Sequence, residues 1–230
     1  MKFRLHVSPS QVDCDMKCHR GIFCGLILTF ALLAGCSSAY YSTWEKFGVY
    51  KRDLLKKRVL AARDDQKEAG QQFKDALTRL KELYGFQGGN LEKVYDSLKS
   101  DFDRSTAKAE SVRKRVKEVE SVGSDLFSEW ETELKEISSA SLRDKSREQL
   151  RETKRRYETL LEALKRAEKS MDPVLTQFHD QVLFLKHNLN AQALSSLQKE
   201  ALNIQDDITK LLEEMEHSIR QADSFIKELP

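Results

Sequence analysis

Cysteine is the residue whose chemistry is easiest to place in this 230-residue chain. All four cysteines, Cys14, Cys18, Cys24 and Cys36, precede position 37. A thiolate is both a nucleophile and a metal ligand. Because no cysteine follows Cys36, thiol catalysis and cysteine-ligated zinc are excluded for the rest of the chain. The same distribution excludes a disulfide framework in that part.

The segment Leu33-Ala34-Gly35-Cys36 resembles the bacterial lipoprotein box. In that box a diacylglycerol is attached to the cysteine through a thioether, and the peptide before the cysteine is removed. The resemblance implies cleavage after Gly35 and acylation of Cys36, with acyl chains such as palmitate anchoring residues 36–230. The residue after the cysteine is Ser37 and not aspartate. In this respect the chain resembles lipoproteins that are sorted to the outer membrane and face the periplasm.

The sequence before the cysteine has the other parts of an export signal. Lys17 and Arg20 form a basic flank, and the apolar run 21–34 is shorter than the roughly 20 residues that a spanning helix needs. We predict a signal peptide over residues 1–35. Because acidic residues lie before it, Met16 is a candidate for the true start. The alternative is an uncleaved N-terminal anchor with an incidental cysteine.

Histidine and glutamate are the next candidates, as metal ligands inside a helical bundle. Such sites typically use two Glu-x-x-His pairs and two further glutamates. In this sequence the spacing occurs once, in Glu214-Met215-Glu216-His217, while His179 and His187 have no matched carboxylates. We predict that these histidines bind no metal and that the protein has no cofactor. The alternative is a bundle that binds a metal or small ligand through His179, His187 and His217.

The sequence patterns typical of nucleotide binding, of catalysis and of nucleic-acid binding are absent from this chain. The glycines of 85–89 are followed by Asn90-Leu91-Glu92 and not by the Lys-Ser/Thr of a phosphate-binding loop. No Gly-x-Ser-x-Gly elbow and no constellation of acid, base and nucleophile occurs. From position 36 onward basic and acidic residues are equal in number and interspersed, so no basic stripe would neutralise nucleic-acid phosphates. We predict a protein that is not an enzyme and binds neither nucleotide nor nucleic acid.

The candidate residues after Cys36 must be positioned by long helices. Between Cys36 and the terminal Pro230 the sole proline is Pro173, and 33% of the residues are charged. Apolar residues recur with the periods of helices, and no period-two strand pattern appears. We predict an all-α fold, an elongated helical bundle or antiparallel coiled coil. The predicted helices cover 40–84, 91–137 and 142–228.

The expected breaks follow from a few residues. The loop 85–90 is rich in glycine, and the serines of 138–141 precede Asp144 with the spacing of a capping box that starts at Ser141. Asp172-Pro173 predicts a kink or the start of a new helix, because proline is tolerated in the first turn of a helix but costs about 3 kcal/mol inside it. A further break is expected near 188–190.

Seven-residue repeats predict how the helices pack. In the second helix the repeats are Leu98, Ser105, Val112, Val119, Leu126 and Phe102, Ala109, Val116, Gly123, Trp130, Ile137. In the third helix they are Leu150, Tyr157, Leu164, Met171, Phe178, Leu185, then Leu197, Ile204, Leu211 and Ala201, Ile208, Met215, Ala222, Leu229. Repeats of this length predict knobs-into-holes contacts, within one chain, in a homo-oligomer or with a protein partner.

Residues 184–192, Phe-Leu-Lys-His-Asn-Leu-Asn-Ala-Gln, are the most distinctive stretch. Asn and His interrupt an apolar stripe there, and buried polar groups can define which helices pair and in what register. We predict that register role. The alternative is a surface that binds a partner.

Four segments carry a resemblance to a known family: Trp44-Glu45-Lys46-Phe47-Gly48, Lys51-Arg52-Asp53-Leu54-Leu55, Leu126-Phe127-Ser128-Glu129-Trp130-Glu131 and residues 181–193. With them the chain resembles the domain-of-unknown-function 2959 family of bacterial proteins. The resemblance implies a helical lipoprotein of the cell envelope. It implies no reaction, substrate or catalytic residue. Together these observations predict a lipid-anchored structural spacer or interaction adaptor.

Overall fold

Five helices follow one another along the described residues. The computed structural model describes residues 51–84, 91–188 and 190–229. The helices are α1 (Lys51–Tyr84), α2 (Leu91–Glu133), α3 (Ala140–Lys169), α4 (Met171–His187) and α5 (Ala191–Glu228). No strand occurs among these residues, and the all-α prediction is confirmed. At about 1.5 Å per residue, the 43 residues of α2 span roughly 65 Å.

The five helices form a four-helix bundle, because α3 and α4 follow each other as one bent rod. α1 lies beside α2 and α5, and the α3–α4 rod also lies beside α2 and α5. Lys51 at the start of α1 pairs with Glu129 near the end of α2, so these two helices are antiparallel. The other neighbours are antiparallel as well, through the pairs Arg113–Asp172, Arg156–Glu228 and Arg63–Asp223. The topology is therefore up-down-up-down.

The predicted repeats line the core of this bundle. All six members of the series from Leu150 to Leu185 are buried, and the series continues through the α3–α4 break. In α5 the buried members are Leu197, Ile204, Leu211, Ile208, Met215 and Ala222. In α2 the second half departs from prediction: Leu126 is half-buried and Phe127 is buried in its place. A straight helix drifts by about 20° per heptad, which moves the buried face to a neighbouring residue.

The observed breaks refine the predicted ones. α2 ends at Glu133, where the prediction placed its end at position 137. The capping box at Ser141 is wrong, because α3 begins at Ala140 with Ser139 as its N-cap residue and no side-chain cap bond. The Asp144 carboxylate instead accepts a hydrogen bond from Arg147 at 2.5 Å. The predicted loop 85–90 lies outside the described residues.

The break near Pro173 is a kink at Ser170, whose backbone keeps helical angles of φ −69° and ψ −11°. Pro173 lies in the first turn of α4, where its missing N–H leaves no gap in the hydrogen-bond ladder. A new helix thus begins at the position where the sequence predicted a kink or a restart.

Charged side chains cover the outer faces of the bundle. Pairs three or four residues apart, such as Lys99–Asp103 and Arg155–Glu152, are exposed to solvent and therefore contribute little to helix stability. None of the helices in the described ranges is both long and apolar enough to cross a membrane.

Candidate functional site

A groove between α4 and α5 has the dimensions of a ligand site. Its cavity volume is about 640 Å³, and small-molecule sites typically have volumes of about 300–1,000 Å³. The lining combines two apolar side chains with amides, a hydroxyl and a carboxylate. The lining residues are Gln177, Asp180, Gln181, Phe184, Ser196, Leu197 and Asn203.

The packing of α4 explains why this groove has an apolar side. Val182 and Leu185 point into the core and are 6% and 1% exposed. Leu183 and Phe184 lie on the other side of the helix and keep 43% and 39% of their surface exposed. At one end of the groove the Gln177 Nε2 donates to the Asp207 carboxylate at 2.5 Å, which ties α4 to α5. The helix pair thus leaves an aromatic side chain open to solvent beside polar groups.

The predicted register role of residues 184–192 is wrong for His187 and Asn188. His187 is exposed, and Asn188 terminates α4. The Asn188 side-chain amide donates to the carbonyl of Phe184 at 2.9 Å, within its own helix and not across the bundle. Leu189 lies outside the described residues. The described residues of the stretch lie at the end of α4 and the beginning of α5, and Phe184 lines the groove. The alternative of a binding surface stays a prediction.

The structure does not bring His179, His187 and His217 together. The ring of His179 lies 5.5 Å from that of Phe102 on α2, and its Nδ1 is 3.8 Å from the Asp180 carboxylate. His187 is exposed at the end of α4, eight residues farther along that helix.

His217 lies on α5 at a different level of the bundle. Its partner in the predicted motif, Glu214, pairs with Arg166 on α3 at 3.6 Å. Arg166 precedes His179 by thirteen residues on the α3–α4 rod, a rise of roughly 20 Å. Among the described residues no group of three or more His, Cys, Asp and Glu side chains is arranged to hold a metal ion.

Cys36 and the export signal before it lie outside the described residues. Acylation of Cys36, the signal peptide over residues 1–35 and the location in the outer membrane therefore stay predictions from the sequence.

Asp101 and Gln66 are among the polar residues in the core that were not found from the sequence. Asp101 is 2% exposed and receives hydrogen bonds from Arg79 on α1 and from Arg104 on its own helix. The hydrogen bond to Asp101 raises the pKa of Arg79, so the guanidinium stays charged. Gln66 on α1 is fully buried, and neither polar atom of its side chain has a hydrogen-bond partner among the described residues. The sequence feature that could have revealed Gln66 is its spacing of seven residues from the buried apolar residues Val59 and Phe73.

The described residues form an antiparallel four-helix bundle with a charged exterior and a semi-apolar groove on its α4–α5 side. The family described as "Protein of unknown function (DUF2959)" matches residues 40–229, and the chain belongs to this family. The family resemblance seen in the sequence is thereby confirmed. No curated protein matches the chain.

Proposed function

We propose that this protein is a lipid-anchored envelope protein that acts as a structural spacer or interaction adaptor through its helical bundle. The observation that carries the proposal is the continuous apolar core, which joins antiparallel helices of up to 43 residues into one rod. A packed rod of this kind holds its ends at a constant separation of tens of ångströms. The lipoprotein box at Cys36 supports attachment to the periplasmic face of the outer membrane.

The proposed role requires no cofactor, nucleotide or nucleic acid. Acidic partners accompany many arginines and lysines on the described helices, as in Lys108–Glu68, Lys165–Glu120 and Arg113–Asp172. Cations that are neutralised in this way contribute little to binding a polyanion. A protein partner, or a second copy of the chain, fits such a mixed surface better.

The anchoring part is tested by Cys36→Ser in cells of the native host, with Cys24→Ser as the matched control in the leader. We expect palmitate labelling and outer-membrane fractionation for the wild-type chain and for Cys24→Ser, and neither for Cys36→Ser. Unchanged fractionation of the Cys36→Ser protein would contradict the proposal.

The adaptor part is tested by in-cell crosslinking and mass spectrometry on the membrane fraction. We expect reproducible crosslinks from the bundle to itself or to one envelope complex, and their loss in Cys36→Ser. Crosslinks scattered over unrelated abundant proteins, equal in both forms, would contradict a spacer or adaptor role.

Binding of a small ligand is a second candidate function, favoured by the groove between α4 and α5. Its exposed Phe184 beside Gln177 and Asp180 suits a ligand with an apolar part and a hydrogen-bonding head. The test is binding of a fluorescent apolar dye to the wild-type protein, to Phe184→Ala and to Leu142→Ala. Leu142 is 60% exposed and is absent from the lining of the groove. We expect weaker binding for Phe184→Ala alone, and an equal effect of both substitutions would reject the site.

Metal binding by the histidines is tested separately by elemental analysis of the purified protein and by thermal unfolding with added Zn²⁺ or Ni²⁺. Bound metal, or stabilisation that His217→Ala removes, would support this alternative to the spacer role. Absence of both would reject it.

A further inference from the structure

Gln66 is an exception in the core of α1. It belongs to the series Val59, Gln66, Phe73 and Leu80, and all four residues are buried. Its Oε1 and Nε2 atoms are both buried without a hydrogen-bond partner among the described residues. Ser218 on α5 is also fully buried, and its hydroxyl is likewise without a partner. Buried polar groups are paired in the great majority of cases, so two unpaired groups call for an explanation.

Contacts on either side place Gln66 on the face of α1 that meets α5. Arg63, three residues before it, pairs with Asp223 at 2.8 Å. Gly70, four residues after it, faces Met215, whose Sδ would lie 3.5 Å from a Cβ at that glycine. Residues at spacings of three and four share a helix face. Because α1 and α5 are antiparallel, the same contacts put Ser218 at the level of Gln66.

The interface between α1 and α5, here the α1–α5 seam, differs from the interface between α1 and α2. Among the described residues, ion pairs cross the α1–α2 interface along its whole length, and they are Lys51–Glu129, Arg58–Glu118, Asp65–Arg115, Glu68–Lys108 and Arg79–Asp101. The α1–α5 seam is crossed by Arg63–Asp223. No turn joins α1 to α5, which are the first and last helices of the described bundle.

On the opposite side of the bundle, α2 and α3 are joined by the chain itself and by a buried hydroxyl. The Tyr157 hydroxyl on α3 lies within hydrogen-bond distance of the α2 carbonyls of Val119 and Glu120, and the turn 134–139 connects the two helices. Separation of α1 from α5 would therefore move the α1–α2 pair as one unit against α3, α4 and α5. Separation also returns the Gln66 amide and the Ser218 hydroxyl to water, which removes the penalty of burying them unpaired.

We propose that the α1–α5 seam is the edge at which the bundle opens, and that Gln66 determines how readily it opens. Opening exposes the apolar stripes of α1 and α5. The unpaired amide destabilises the closed state relative to the open one, whereas an apolar residue of similar shape would favour closure. This inference concerns the bundle alone and does not depend on the lipid anchor.

Thiol labelling of two buried alanines measures the opening. Ala222 on α5 lies one heptad after Met215 and so faces α1, whereas Ala109 on α2 lies four residues before Arg113, which pairs with Asp172 on α4. Both alanines are 0% exposed. The background is the full chain with all four native cysteines replaced by serine, since none of them lies in the bundle helices.

We expect the thiol introduced by Ala222→Cys to react at least ten times faster than the thiol introduced by Ala109→Cys. Addition of Gln66→Leu should slow the first reaction at least tenfold, which corresponds to about 1.4 kcal/mol, and should change the second less than twofold. Equal rates at the two positions, or equal slowing of both, would mean global unfolding and would overturn the proposal. So would a rate at Ala222→Cys that Gln66→Leu leaves unchanged.

Two further variants keep the test decisive. Gln66→Met replaces the amide by an unbranched apolar side chain and should reproduce the slowing even if the branched leucine packs poorly. Gln181→Leu removes a glutamine of α4 that is 5% exposed and has an interaction partner, so it should not slow labelling at Ala222→Cys. Slowing by Gln181→Leu as large as that by Gln66→Leu would overturn the role assigned to Gln66.

Discussion

At the scale of single residues, Gly123 is required because Tyr157 occupies the space that a side chain would need. A Cβ at position 123 would lie 2.3 Å from ring atoms of Tyr157. The Tyr157 ring also contacts the rings of Phe127 and Phe225, at centroid distances of 5.1 and 6.2 Å. Burial raises the pKa of the Tyr157 phenol, so it stays a neutral hydrogen-bond donor to the α2 backbone. One glycine thus lets three helices meet around one tyrosine.

Gly123→Ala should lower the free energy of unfolding by about 1–2 kcal/mol. Overpacking costs about 1–3 kcal/mol, and the higher helix propensity of alanine offsets up to about 1 kcal/mol of it. The matched control is Gly70→Ala, whose new Cβ would make ordinary contacts at 3.5 Å with Leu212 and Met215. We expect Gly70→Ala to be neutral or stabilising in urea unfolding. Equal destabilisation by both substitutions would contradict the role of Tyr157.

Asp101 is the second position where one side chain matters. Its carboxylate is 3% exposed and receives hydrogen bonds from two arginines, one of them on α1. Asp101→Ala should destabilise the protein by about 2–3 kcal/mol, at the low end for buried pairs because both arginines are partly exposed. Asp103→Ala, which breaks the exposed pair with Lys99 at 2.5 Å, should change stability by less than about 0.5 kcal/mol. Urea unfolding measures both, and similar losses would argue against a special role of Asp101.

At the scale of elements, the break between α3 and α4 is held by local hydrogen bonds and by core packing. The Ser170 N–H and Oγ donate to the carbonyls of Arg166 and Ala167, at 3.0 and 2.9 Å. Met171 follows directly and is 0% exposed, so core packing also defines the direction of the rod. The break therefore has its own hydrogen bonds and its own buried anchor.

Pro173→Ala should change the free energy of unfolding by less than about 1 kcal/mol, because the proline lies where no helical N–H bond is lost. Thr176→Pro, one turn later on the exposed side, should cost about 3 kcal/mol or more, since it removes an interior helix bond. Thermal unfolding followed by circular dichroism compares the two. A large loss in Pro173→Ala would show that the proline itself maintains the kink.

At the scale of the whole molecule, ionisation of the surface carboxylates makes stability depend on pH. Hydrogen bonds from Arg155 and Arg156 lower the pKa of Glu152 from 4.5 to about 2. The ion pair with Arg63 lowers the pKa of Asp223, whereas burial raises the pKa of Glu168. Carboxylates with lowered pKa stabilise the folded state at neutral pH, and this contribution is lost as the pH falls from about 4.5 toward 2. A carboxyl with raised pKa has the opposite sign, because its ionisation destabilises the folded state as the pH rises.

Urea midpoints between pH 7 and pH 2.5 test these signs. Glu152→Gln should be less stable than the wild type at pH 7, and the difference should shrink steadily below pH 4.5. Glu168→Gln should show the reverse, with an advantage at pH 7 that disappears on acidification. A pH-independent difference for either variant would contradict the assigned ionisation.

Local pattern in the sequence was enough to predict the helices and most of their buried faces. Heptad spacing depends on residues within a few turns of each other, so Leu150 to Leu185 could be assigned to the core without knowing their partners. Breakers act locally too, which is why the break near Pro173 was predicted at the right place. Helix ends were less certain, as at Glu133 and Ser139, because terminal turns fray and the boundary can shift by one or two residues.

Which residues meet across the bundle was decided by the tertiary structure alone. The Arg79–Asp101 pair, the contact of Tyr157 with Gly123 and the unpaired amide of Gln66 all depend on the order and relative level of helices distant in sequence. The groove at Phe184 and the separation of the three histidines have the same origin. The spacing of apolar residues identifies the buried face of each helix. Which other helix packs against that face depends on how all four helical rods are arranged around the core.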